Sequence, residues 1–508
     1  MGSMNFPDPN VTPEYKDWVW DGEKWVKDCP ASGGGSGGGS GGGSVEAIAS
    51  GTLATGDAVI VNADGTVSVV EETGGEFSPS EVFYSGNSGD ISSTYDSASN
   101  KVIVAYSDAD QSYRGTAVIG TVSGDSISFG APVVFNSGNS TYISLTYDPV
   151  AGKVVVAYRG YNNSDYGAVR VGTVSGDSIT FGSPVNFGAG DSRFISSTYD
   201  SVSNKVVVAY SEYASGYQGQ AVVGTVSGDT ITFGVAKEFC SGGASNTSST
   251  YDPEANKVVI VYQDSGNSDY GTAIVGTVSG NSITFDTPVV FNSGKSEDIS
   301  SAYDSASNKV IIAYKDSANL RYGTAIAGTV SGDSITFGSS KVFNSGNSDN
   351  ISSTYDPASN KVIVAYRDVG NSSYGTAVAV TVSGDSIRFG SPEVFNGGSV
   401  AYTSSTYDPV ASKVVITYQD SGSPQECRAV LKSRAITNLT ESNYIGTSSA
   451  DYADGETAII QTIGSVSKDQ SGLTAGLGYY VQPDGFLGTS GDVFAGTAIS
   501  PTSLIVKG

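Results

Sequence analysis

The 508-residue chain contains no histidine. That removes imidazole metal ligands, the Ser-His-Asp and Cys-His nucleophile pairs, and the side chain that ordinarily titrates near neutral pH. Positive charge is also scarce, with 26 Lys+Arg against 51 Asp+Glu and a formal net charge of −25. No basic excess is available to neutralise phosphates, so nucleic acid is not an expected partner. The three cysteines, Cys29, Cys240 and Cys427, are an odd and scattered set without CxxC spacing. Neither a disulfide framework nor a zinc site is supported, and no cofactor is called for. No apolar run approaches the roughly 18 residues of a membrane span, so membrane insertion is not expected. The N-terminal stretch lacks the charged head and apolar core of a secretory signal, which argues against export by that route. What the chain does hold is 66 glycines and 30 tyrosines. This composition predicts a soluble, turn-rich, all-β protein.

A Tyr-Asp pair recurs at Tyr95, Tyr147, Tyr199, Tyr251, Tyr303, Tyr355 and Tyr407, at a constant spacing of 52 residues. Around each pair four β-branched or aromatic segments alternate with period two. They are bounded by Gly, Asn, Asp or Ser turn residues. One repeat runs Ser-Ser-Thr-Tyr-Asp, then Lys-Val-Val-Val-Ala-Tyr, then Gly-Thr-Ala-Val-x-Gly-Thr-Val-Ser-Gly-Asp, then Ser-Ile-Thr-Phe-Gly-x-Pro-Val-Val-Phe. Seven four-stranded units predict a seven-bladed β-propeller. The seventh repeat loses its pattern near Leu431, before a fourth strand. The missing strand stands at the other end, where Phe77-Ser-Pro-Ser-Glu-Val-Phe83 matches Phe129-Gly-Ala-Pro-Val-Val-Phe135 at the same spacing. Closure of the ring by this N-terminal strand is expected, since it hides two sheet edges. A fragmentary extra repeat is the other reading.

The flanks divide the rest. Residues 1–31 hold all three tryptophans, with Asp21-Gly22 as a hairpin signal between Trp18-Val-Trp20 and Trp25. This is expected to be a very small module of its own. Residues 32–44 read as a Gly/Ser linker spanning on the order of 20 Å. Residues 45–72 and 439–508 share a strand–turn grammar and are expected to pair into one small flanking β-domain, with the propeller, 73–438, inserted between them. Two independent β-pieces are the alternative.

The turns after the first and third strands of each repeat are monotonous, and stereotyped turn chemistry explains them. The opposite face varies. Its candidate ligand-binding residues are Tyr113, Arg114, Tyr142, Tyr161, Asn162, Arg193, Phe194, Tyr213, Tyr217, Arg321 and Tyr402. Tyr and Arg combine broad apolar contact area with hydrogen-bonding tips, and binding usually resides on loops carried by a rigid scaffold. On the same face Asp108, Glu212, Asp264, Asp316, Asp368 and Asp420 occupy one repeat position, with Gly160 the exception. An oxygen-rich ring can hold calcium, but an Asp capping its own loop explains the pattern without an ion. Tyr95 and Tyr106 are expected in the interblade core. Glycoside cleavage needs an asymmetric carboxylate pair, whereas here each carboxylate recurs in nearly every repeat. No catalytic residue is assigned.

The phrases Tyr-Asp-Pro-x-x-x-Lys-Val-Val-Val-Ala-Tyr and Tyr-Gly-Thr-Ala-Ile-Val-Gly-Thr-Val-Ser-Gly, and the ending from Phe494 to Gly508, resemble tail-fibre and other virion structural proteins of marine tailed bacteriophages, notably cyanophages. The Trp20-Asp-Gly-Glu-Lys-Trp25 phrase before a Gly/Ser tract is similar to the openings of such proteins. The resemblance implies a component of the virion, often homo-oligomeric, that meets a host-surface glycan or protein and contacts other virion proteins through its N-terminal module. It supplies no catalytic residues. A structural capsid or tail decoration, a bacterial surface adhesin and a glycan-cleaving propeller stay open beside it.

Overall fold

A computed structural model describes residues 18–20, 25–27 and 43–507, apart from 71, 74, 162–164, 423, 434, 435, 441, 483, 484, 490 and 492. Gly75–Arg434 form one compact unit, and the described residues of Met1–Gly74 with Ala435–Gly508 form another. Candidate Asn162, Cys29, the Asp21-Gly22 turn and most of the Gly/Ser tract lie outside the described residues.

The first unit is a β-propeller of seven successive antiparallel sheets. In blade 1 the inner strand Ser88–Asp96 pairs with Lys101–Asp108, which in turn pairs with Arg114–Ser123. Both faces of the second strand are covered, so it reads as a continuous apolar run, with Val102 to Tyr106 buried. The fourth position differs from the single segment expected from the repeat. Ser126–Phe129 covers one half of the third strand, and the start of Val133–Asp148 covers the other. The interruption falls where a turn of the next blade presses on the backbone. At the equivalent glycine of blade 2, Gly182, a Cβ would stand 1.8 Å from the Asp229 carbonyl oxygen.

The second piece does not stop at its blade. Val133–Asp148 continues as one 16-residue strand into the inner strand of blade 2. Val185–Asp200, Val289–Asp304, Lys341–Asp356 and Glu393–Asp408 repeat this. The variable residue pairs at the start of each inner strand, such as Gly89-Asp90, Thr141-Tyr142 and Glu297-Asp298, therefore sit within strands rather than in free loops. Only 85–87 and 241–243 interrupt the run.

Glu81–Tyr84 pairs with Glu426–Lys432, with Tyr84 opposite Cys427 and Val82 opposite Arg428, and Phe77 bridges Lys432. An N-terminal strand thus completes the last blade. A belt of serines, 52 residues apart, ties every interface. Ser92, Ser144, Ser196, Ser248, Ser300, Ser352 and Ser404 each accept a backbone N–H from the neighbouring inner strand at 2.9–3.0 Å. The last of these bonds, from Ser93 to Ser404, joins blade 1 to blade 7. Between blades, aromatic rings interlock. Phe135 packs on Tyr158 and Phe181 at 5.2 and 5.8 Å between centroids, and Tyr106 and Tyr95 lie in or against the same kind of core.

In the second unit Ser44–Ile48, Thr457–Gln461, Tyr444–Ser448, Ala58–Val61 and Val67–Val69 form one sheet in that order. A second sheet holds Val493–Ser500 between Gly478–Val481 and Ser503–Val506. Period-two alternation divides Ala58–Val61 between two cores, Ala58 and Ile60 packing with Leu473 and Tyr479, and Val59 with Leu53 and Ala458. Trp18–Trp20 pairs antiparallel with Trp25–Lys27.

Candidate functional site

Each inner strand enters its blade through a β-bulge. In blade 2, Thr141 pairs with Arg159 and Ser144 with Ala157, which leaves Tyr142 and Ile143 opposite the single residue Tyr158. The bulge places one residue per blade in the left-handed region, at φ 41–51°: Asp90, Tyr142, Phe194, Asn246, Asp298, Asn350 and Tyr402. All seven line one cavity of about 250 Å³ on the ring axis, over a floor that includes Ile91, Ile143 and Ile195. Asn and Asp tolerate this conformation, whereas for bulky side chains it is a strained outlier. Tyr142, Phe194 and Tyr402 hold it nonetheless.

The mouth is partly laced by its own polar groups. Asp90 accepts the Tyr142 N–H at 2.9 Å. Asn246, Asp298 and Asn350 accept the N–H of Asp298, Asn350 and Tyr402 in turn. The aromatic members cannot pass the bond on. Tyr142 and Phe194 instead pack with centroids 5.2 Å apart. Burial, then the charge of Asp90 and the nearby Tyr113, raise the Tyr402 phenol.

Outward from Tyr142 and Phe194, blades 2 and 3 carry a guanidinium–aromatic cluster. The Arg193 guanidinium lies 4.5 Å from the Tyr213 ring centroid and 5.6 Å from that of Tyr217, and ion-pairs with Asp191 at 2.7 Å. Arg159 is buried, stacks over Tyr161 at 4.2 Å, donates to its hydroxyl at 2.8 Å, and ion-pairs with the same Asp191 at 2.7 Å. Two cations sharing one carboxylate hold three exposed rings in place, since Tyr161, Tyr213 and Tyr217 are 44%, 47% and 37% exposed.

Tyr113 is exposed, at positive φ, on the blade 1 loop. Arg114 is engaged with Asp108 at 3.2 Å. Arg321 occupies the left-handed position of the blade 5 loop. The structure therefore brings Tyr142, Phe194, Arg193, Tyr161, Tyr213 and Tyr217 into one region and Tyr402 and Tyr113 near Asp90, while Arg321 belongs to another blade. Arg159, Asp191 and Lys315 are not among the residues read from sequence, whereas Asp90 and Asp298 belong to the variable pairs at the start of the inner strands. The signal for Arg159 and Lys315 was variation inside a strand: the repeat position of Arg159 reads Ser107, Arg159, Ser211, Gln263, Lys315, Arg367 and Gln419. Lys315 reaches Asp298 at 2.7 Å and Asp349 at 3.1 Å. Burial alone would lower its ammonium, but these carboxylates hold it above the ordinary value.

Three of the six repeated acids on this face cap their own loops, and Asp368 and Asp108 bond residues of another strand instead. Asp264, Asp316 and Asp420 accept the backbone N–H two residues on, at 3.0–3.2 Å. Asp368 accepts Asn344 Nδ2 and Asp108 accepts the Tyr84 hydroxyl. Among the described residues no group of three or more His, Cys, Asp or Glu is placed to hold a metal ion. Burial first of all lifts the Cys240 and Cys427 thiols to about 11 and about 12, so neither offers a thiolate near neutral pH. The chemistry this face offers is stacking, hydrogen bonding and charge complementarity.

The opposite face corrects the expectation that turn chemistry alone explains it. Lys101, Lys153, Lys257, Lys309 and Lys413 each ion-pair with the Ser-Gly-Asp aspartate of the next blade: Asp177, Asp229, Asp333, Asp385 and, across the closure, Asp125. The turn aspartates are cross-blade clamps.

No protein-family model matches the chain, and no curated protein matches its sequence. Among solved structures it is similar to the BP39L lectin from Burkholderia pseudomallei, at 10% identity over 70% of this chain and 99% of that chain, with a TM-score of 0.49. It is similar to Sqt1 from Chaetomium thermophilum, at 12% identity over 78% of this chain and 100% of that chain, TM-score 0.43. A leech intramolecular trans-sialidase gives 9% identity over 72% of this chain and 70% of that chain, TM-score 0.42. At these values the likenesses carry no argument about what the chain binds.

Proposed function

We propose that the protein is a non-enzymatic receptor-binding component of a phage virion, which uses the variable propeller face to bind a glycan or protein on the host surface. The observation that carries the binding role is the set of bulky aromatics held in the left-handed region at the axial mouth, continuous with a guanidinium-buttressed cluster of exposed tyrosines. Each strained position costs on the order of 1–3 kcal/mol, and asparagine at the same place would relieve it. Retaining Tyr142, Phe194 and Tyr402 there is explained by contact with a ligand. Flat rings with hydrogen-bonding tips suit the mixed apolar and hydroxyl faces of a sugar. Assignment to a virion, and attachment to other virion proteins through the N-terminal module, rest on the sequence resemblance. Avidity from several weak contacts, or several copies, would supply binding without one deep pocket.

The test is binding of the full chain to intact candidate host cells, beside a variant with Tyr113, Tyr142, Tyr161, Arg193, Phe194, Tyr213, Tyr217 and Tyr402 changed to Ala. Binding by the parent and loss in the folded variant is the expected result. Equal binding by both overturns the assignment of the face. Failure of the parent on every candidate host favours an inert decoration, and mass spectrometry of purified particles tests the virion assignment separately.

A further inference from the structure

The axial mouth carries a carboxyl group, Asp90, at a place where its own architecture requires only an amide. Asp90, Asn246, Asp298 and Asn350 all perform the same structural task, accepting the N–H of the next residue around the mouth. The two asparagines show that a neutral amide suffices. At Asp298 the charge is met internally, by Lys315 at 2.7 Å. Blade 1 has Ser107 where blade 5 has Lys315, and among the described residues Asp90 has no ion-pair partner, its carboxyl being raised by burial against the bond from the Tyr142 N–H. Asp90 instead stands between Tyr142 and Tyr402, with Phe194 packed on Tyr142.

We infer that the axial mouth binds a small organic cation, an alkylated ammonium group, seated against Asp90 with its alkyl surface on the Tyr142 and Tyr402 rings. Aromatic faces attract ammonium groups through their quadrupole, and a partly desolvated carboxylate adds direct attraction. The cavity of about 250 Å³ exceeds the roughly 150 Å³ that accommodates benzene. A hard cation is a poorer match, because calcium takes 6–8 oxygen ligands and three of the seven mouth positions are aromatic. The cationic group would belong to the host-surface ligand. The inference thus rests on the variable face being the binding face, and names the chemistry taken at its centre.

The experiment is calorimetric titration of the full chain with choline and with its neutral carbon isostere, 3,3-dimethylbutan-1-ol. Choline is expected to bind saturably, with the isostere about tenfold weaker or more. Asp90→Asn keeps the bond to Tyr142 and should weaken choline several-fold, leaving only the part of its preference over the isostere that the rings supply. Ser107→Lys, which supplies the internal cation that blade 5 has, should do the same. Absence of saturable choline binding, equal binding of the isostere, or undiminished binding to folded Asp90→Asn overturns the inference. These readouts involve no cells. Cell binding that survives a negative titration leaves the receptor-binding reading standing, and a positive titration beside failed cell binding separates the two the other way.

Discussion

Among the left-handed positions of each repeat, one stands on the turn face and one at the axial mouth, and these two are filled by different rules. On the turn face the position after the first strand holds Asn100, Asn204, Asn256, Asn308 and Asn360, with Gly152 and Ser412 in the other two blades. Six of the seven are thus Asn or Gly, which take positive φ at little cost. Asn204 also accepts the Tyr199 hydroxyl at 3.1 Å. At the axial mouth the equivalent conformation holds two Asp, two Asn, two Tyr and one Phe. The backbone requirement is the same and the side chains are not. The comparison teaches that the turn face is organised for clamping one blade to the next, while the mouth keeps strained rings that clamping does not need.

The sharpest way to break the distinction is to attack the element that both faces share, the closing strand. Phe83 is buried against Tyr106 and Phe129. Phe83→Ala should lower the stability of the propeller by about 3–5 kcal/mol in urea unfolding, whichever face is probed. Exchanging the two rules gives a smaller effect of opposite sign on each face. Asn204→Tyr should destabilise by about 1–3 kcal/mol, whereas Tyr142→Asn should be neutral or stabilising by about 1 kcal/mol while weakening ligand binding. Destabilisation by both would remove the distinction drawn here.

The smallest effect concerns the clamps. A hydrogen bond from Lys153 first, then one from Thr173 and the charge of Lys153, hold the Asp229 carboxyl below its ordinary value. A carboxyl depressed in the folded state contributes stability that is present above its unfolded value, near 3.8, and is lost as pH falls through the folded value. Asp229→Asn should therefore lower the denaturation midpoint slightly at neutral pH and low salt. The gap to the parent should close in acid and in high salt, because the aspartate is exposed and screened.

The sequence makes the repeat visible because one 52-residue phrase returns with its turn residues intact. It makes the closing strand visible because Phe77 to Phe83 falls on the same period. Three features escape that kind of reading. The Lys101–Asp177 clamp spans 76 residues, so it joins non-equivalent positions in successive repeats and leaves no trace when single repeats are aligned. The division of the fourth strand arises from backbone crowding between blades, as at Gly182, which is a three-dimensional constraint. The bulge that aims Tyr142 inward is set by a register shift against the second strand, and the alternating pattern does not reveal which residue is extruded. Tyr161, Arg193, Tyr213 and Tyr217 are legible as exposed variable residues. Arg159 and Asp191, which hold them, are hidden by lying in strands.

The serine belt has a consequence for the time course of folding. Six of its seven bonds join residues 53 apart, while the bond from Ser93 to Ser404 spans 311. By the logarithmic law of loop closure the extra entropy cost of that longer span is only about 1.5 kcal/mol, so the latch is thermodynamically cheap. Kinetically it is the contact with the greatest distance to search, and it follows the local pairings. Until it engages, the strand Glu426–Lys432 presents an unpaired edge to any other chain. If closure follows the local pairings, crowding of identical chains should favour cross-pairing before the ring shuts, and dilution during refolding should raise the yield of closed rings.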